Sequence, residues 1–139
     1  MLGTVALDPN GFLAMAGQKY PITEIGLIRM AEKIIEKGES QKNNSQAKVK
    51  IIENQKVGDR TCRLFQVTND RRSEIADFHI AQVYVDVQRK IPLRYAAYMW
   101  PENGEAPPLE EEYTYLNLKT NVGLSDEDFD TTNSEYDFP

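Results

Sequence analysis

The chain has 139 residues with 16 basic and 22 acidic side chains, a net charge of −6 and 40% hydrophobic residues, a size that suits one domain with a substantial core. A mean hydropathy of −0.56 and the lack of a long apolar run argue against a membrane span. The acidic balance, with no dense Lys/Arg patch, disfavours nucleic acid as a partner, because phosphate binding needs concentrated positive charge.

The opening segment, residues 1–22, has no basic lead before its apolar stretch, and Asp8-Pro9-Asn10-Gly11 interrupts that stretch, so the chain as given shows no export signal. It starts on apolar residues without a polar lead, which reads as the interior of a longer open reading frame. Tyr20-Pro21 closes the segment, since a residue before proline is pushed out of the helical region. A helix is predicted over 23–38, with Thr23 as N-cap, Glu24 in the first turn and Gly38 as the stop. Leu27, Ile28, Ala31, Ile34 and Ile35 form its inward stripe, and Arg29, Glu32, Lys33, Glu36 and Lys37 its wet face. Glu39 to Gln46 is polar and reads as a linker.

A sheet is predicted over 47–119. Val49, Ile51 and Ile52 open it, and Val57-Gly58-Asp59 turns the chain into Arg60 to Thr68. There Thr61, Phe65 and Val67 share one face, and Cys62 and Leu64 the other. Phe78 to Val87 is apolar on both alternating faces, the pattern of a central strand covered on both sides. Gln88-Arg89-Lys90 leads into Ile91 to Trp100, and after a Pro/Gly loop Leu109 to Lys119 completes a meander. Such short connections favour antiparallel neighbours. The fold class is α+β: an antiparallel sheet with one main amphipathic helix, read as a single domain over 1–139. In the acidic segment 120–139, Ser125 is expected to cap one helical turn through Phe129, with Asp128 as its capping-box partner. Residues 1–94 carry 15 basic and 11 acidic side chains, whereas 95–139 carry one basic and 11 acidic, so the tail reads as a solvated acidic segment.

Catalytic constellations are thin. Gly11 and Gly17-Gln18-Lys19 imitate a phosphate loop, but the spacing is one residue too long and no Ser or Thr follows the lysine. His79, the single histidine, has no flanked serine or second imidazole to work with, and Cys62 has no second cysteine. Both read as structural, and the chain as non-enzymatic with no cofactor. Asp126, Asp128 and Asp130 have the 1, 3, 5 spacing of a calcium loop, with Thr132, Ser134 and Asp137 at positions 7, 9 and 12. Thr131 stands where glycine is required and aspartate replaces the bidentate glutamate, which leaves these as weak metal candidates.

The aromatic residues carry more. Tyr84, Tyr95, Tyr98, Trp100, Tyr113 and Tyr115 fall on the three predicted long strands, and one helix has too little surface to cover them all, so an apolar pocket or a partner interface is expected beside an ordinary core. Ile91, Leu93, Tyr95, Ala97 and Met99 share the more continuous apolar face of their strand, which is assigned to the helix side with Tyr95 and Met99 at the cavity mouth.

Tyr84-Val-Asp86-Val-Gln-Arg-Lys-Ile-Pro92-Leu-Arg94-Tyr-Ala-Ala-Tyr98 resembles the strand-turn-strand signature of the outer-membrane lipoprotein carrier superfamily. The stretch from Val83 to Phe129, with Tyr98-Met-Trp100-Pro101 and Tyr113-Thr-Tyr115-Leu-Asn-Leu-Lys119, is similar to the uncharacterised bacterial family DUF1571, assigned to that superfamily. The resemblance extends more weakly to the start of the chain, and the chain resembles the carboxy-terminal part of members that usually carry an export signal. It implies a strongly curved sheet, a half-open barrel, wrapping the helix on its concave face around an acyl-chain cavity in the periplasm or cell envelope. Asp86, Pro92 and Arg94 are expected to fix the hairpin. The function expected is non-enzymatic binding of a lipid, an acylated protein or another apolar ligand, through Tyr95, Met99, Leu93, Leu116 and Leu118. The alternative is an assembly module whose apolar sheet face pairs with another subunit, as an oligomer, or with a missing amino-terminal half.

Overall fold

The computed structural model describes residues 6–42 and 47–136; residues 43–46 of the expected linker, and Asp137, lie outside them. Five strands form one open antiparallel meander in chain order: β1 (Ala47–Val57), β2 (Arg60–Asn69), β3 (Ile80–Asp86), β4 (Pro92–Tyr98) and β5 (Leu109–Thr114). The helices are α1 (Phe12–Met15) and α2 (Leu27–Gln41). The architecture is α+β, and no helix among the described residues is long and apolar enough to cross a membrane. Those residues divide into two compact units, one made of the parts before Gly26 and after Asn117, the other of Gly26–Asn117. The second contains α2 and the whole sheet.

Alternation sets the sheet. Phe65 and Val67 pair with Val83 and Ala81, which pair in turn with Tyr95 and Ala97, so these residues share one face. Gln66 and Leu64 fall on the other with Gln82 and Tyr84, and Gln82 donates to Gln66 at 2.9 Å. Gly58, at φ 57, turns β1 into β2. Near the turn β1 is bulged: Ile52 pairs with Leu64 but Gln55 with Cys62, and Asn54 in between sits at φ 58, a region that asparagine tolerates better than most residues.

The helix starts and ends later than the predicted 23–38. Thr23 is not its cap but belongs to a separate 3₁₀ turn, Ile22–Glu24, set up by Pro21. The cap is Gly26 at φ 137, a conformation that an L side chain opposes. Gly38 does not stop the helix, which runs through it to Gln41; an interior glycine costs only ~1 kcal/mol. The inward stripe also differs from the expected one. Met30, 7% exposed, joins Phe78, Ala81, Tyr95 and Ala97 in the core, with Leu27 and Ile34 packed on it, whereas Ile28 and Ile35 are 75% and 65% exposed. The sheet also ends earlier than Lys119: β5 stops at Thr114, leaving Tyr115, Leu116 and Leu118 beyond it, and Trp100 lies past the end of β4.

Candidate functional site

The face holding Phe65, Val67, Val83 and Tyr95 meets α2, but the helix packs on the β4 side of it. Toward β1 the face stays open, with Val49 68% and Ile51 55% exposed. A groove of ≈ 510 Å³ remains, with Ile34 and Gly38 of α2 as one wall and Val49, Phe65, Val67 and Val83 on its floor. That volume lies within the ~300–1,000 Å³ usual for small-molecule sites. Gly38 keeps the wall thin, since a Cβ there would meet nothing within 4 Å.

Among the described residues two cations line the groove, Lys37 and Lys42. Lys37 Nζ lies 5.7 Å from the Phe78 ring centroid and 3.9 Å from an Asp77 carboxylate oxygen. Lys42 Nζ is 3.6 Å from Glu39. Tyr95 adds a phenol whose hydroxyl donates to Glu111 at 3.3 Å.

Of the five residues expected to bind ligand, Tyr95 lines the groove. Leu93, 2% exposed, does not. Arg94 pairs with Tyr84 but Pro92 with Val85, so a bulge breaks the alternation that had placed Leu93 on the row of Tyr95. Met99 follows the end of β4, where its amide donates to the Pro108 carbonyl at 2.9 Å. Leu116 is 61% exposed, with a methyl 3.5 Å from the place of a Gly58 Cβ, and Leu118 belongs to the other compact unit. Sequence reasoning passed over Val49, Phe65, Val67 and Val83, although the alternation of β2 already set Phe65 and Val67 together.

A profile built from proteins of unknown function, DUF1571, matches residues 1–138. The chain belongs to the DUF1571 family. No curated protein and no solved structure matches it.

In this DUF1571 chain the groups with reactive chemistry are held by structural bonds. Asp86, 1% exposed, accepts from Arg60 Nε at 2.7 Å and from the amides of Gln88 and Arg89 at 2.7 and 2.9 Å. The Arg60 bond, followed by the two amides, holds its carboxyl at about 2 against the desolvation that opposes it. Arg94 donates to Glu112 at 2.8 Å and covers the Tyr84 ring at 5.2 Å. His79 Nδ1 lies 2.8 Å from the Asn69 carbonyl, so that nitrogen carries the proton. Trp100 Nε1 donates to the same oxygen at 3.0 Å, while the buried Asn69 amide donates to Phe78 O at 3.0 Å. Cys62 is fully buried, and burial pushes its thiol pKa up.

The tail forms the expected capping box. Asp128 accepts from the Ser125 amide at 2.6 Å and from its hydroxyl at 3.1 Å. Asp130 accepts from the amide and hydroxyl of Thr132, both at 2.8 Å. Among the described residues no three carboxylate, histidine or cysteine side chains gather as a metal site, and Asp137, the twelfth calcium-loop position, lies outside them.

Proposed function

We propose that this protein is a non-enzymatic binder of an apolar ligand, such as an acyl chain, held in the groove between α2 and strands β1–β3. The observation that carries this reading is the half-covered sheet face: α2 packs at β4, and apolar side chains continue past it to an exposed edge. Burying that face on a ligand is favourable by roughly 25 cal/mol per Å² of apolar surface. The commitment of His79 to Asn69 and the burial of Cys62 support a binding role over nucleophilic or acid–base chemistry. Membership of the lipoprotein carrier superfamily, a half-open barrel with α2 on its concave side, and a place in the cell envelope follow from the resemblance of the Tyr84–Tyr98 signature and belong to the same proposal.

The test is uptake of Nile red, an uncharged dye that fluoresces in apolar surroundings. The wild type should bind it, and Gly38→Trp, which fills open space and favours helix, should weaken uptake about tenfold with an unchanged circular dichroism spectrum. A wild type that takes up no dye, or a folded variant that binds like it, overturns the reading.

Exposure of Val49 and Ile51 on an edge strand favours a second reading, an apolar face that pairs with another subunit. In that case size-exclusion chromatography would show a dimer that ignores the dye and that Ile51→Asp dissociates.

A further inference from the structure

The groove is asymmetric in charge. Among the described residues its lining includes Lys37 and Lys42 and no carboxylate. Both lysines lie toward the carboxy-terminal end of α2, with Ala47, the first residue of β1, and Phe78 beside them in the lining. In the antiparallel register Ala47 pairs with Asn69, the last residue of β2, so this is one end of the sheet. Val85, paired with Arg63, marks the other. There Arg63 Nε lies 2.7 Å from Glu53. At the lysine end Lys37 lies 3.9 Å from Asp77 and Lys42 3.6 Å from Glu39, both carboxylates on side chains about two-thirds exposed and outside the lining. Contacts of that kind are readily exchanged for a better-placed anion.

Resting on the reading that the groove takes an apolar chain, we infer that its occupant is a free single-chain amphiphile with an anionic head, of the fatty-acid class. The tail lies over Val49, Phe65, Val67 and Val83, and the carboxylate meets Lys37 and Lys42. Lysine suits this junction because its methylene stem covers apolar surface while its ammonium reaches the rim. The 5.7 Å contact of Lys37 with the Phe78 ring has that form. Charge makes the inference sharp. A protein of net charge −6 repels anions at long range, so a preference for an anionic ligand must come from cations within about a Debye length, ~10 Å in dilute salt.

Displacement of Nile red at about pH 8, where carboxylates are ionised and alkylamines protonated, compares three probes with one tail: dodecanoate, dodecanol and dodecylammonium. Dodecanoate should bind about tenfold more tightly than dodecylammonium, with dodecanol between them, and added salt should narrow the spread. In the Lys37→Gln/Lys42→Gln double variant the spread should vanish while dodecanol binds as before. Equal affinities in the wild type, a preference for the cation, or a preference for dodecanoate that survives in the double variant overturns the inference. The two readings fail differently. If dodecanol binds and dodecanoate binds no better, the groove stands and the head-group assignment falls; if no probe binds, both fall.

Discussion

Asp86 shows how much one side chain can carry in a short turn. Its carboxylate joins the start of β2, through Arg60, to the amides that begin the β3–β4 connection. Because its folded pKa of about 2 lies below the ordinary 3.8, the contribution is fully present above pH ~4 and is lost as pH falls through ~2. Its size is on the order of 2 kcal/mol. Asp86→Asn should therefore cost about 2–3 kcal/mol at neutral pH and flatten the acid limb of a urea-midpoint profile; a mutant limb as steep as the parental one would place the acid sensitivity elsewhere. Cys62, with no exposed surface and a raised thiol pKa, should resist a thiol reagent such as dithionitrobenzoate in the native protein and react at once in urea. Rapid labelling of the native state would show that this part of the sheet opens.

At the scale of elements, α2 separates what a sequence states from what only a fold decides. Leu27, Ile28, Met30, Ala31, Ile34 and Ile35 spread over nearly half the helix circumference, so periodicity alone permits several inward faces. Docking against Phe78, Ala81, Tyr95 and Ala97 selects Leu27, Met30 and Ile34 and leaves Ile28 and Ile35 in water. The strands were more legible, because period two offers only two faces and the turn at Gly58 pins the register. Legibility failed at the bulges, where the β3–β4 register shifts by one residue at Leu93, and at the site, where the groove depends on how far α2 reaches across the sheet. Met30→Ala should cost about 2–5 kcal/mol and Ile35→Ala no more than ~0.5 kcal/mol, measured as denaturant midpoints; the reverse order would turn the helix by a face. Gly38→Ala should stabilise by about 0.5–1 kcal/mol, since its helical backbone suits alanine and a Cβ meets only open space.

For the whole molecule, order should be graded. β3 is bonded on both sides, to β2 and β4, whereas the described residues of the other compact unit form only single turns such as Phe12–Met15 and Asp126–Phe129, with Phe12 88% and Phe129 73% exposed. Hydrogen exchange should be slowest in β3 and fast in those turns; equal protection of both would mean cooperative unfolding as one body. β1 poses a different problem. Over 11 residues it has no strand neighbour on one side among the described residues, next to exposed Val49 and Ile51, the combination from which one molecule could recruit the next into a growing ribbon. Lys48, Lys50 and Lys56 place like charges along any such junction, and the kink at Asn54 spoils a straight approach. The same edge can therefore leave an apolar floor open without seeding filaments. Exchanging Lys48 and Lys50 for threonine should make concentrated solutions scatter light while dilute ones stay clear.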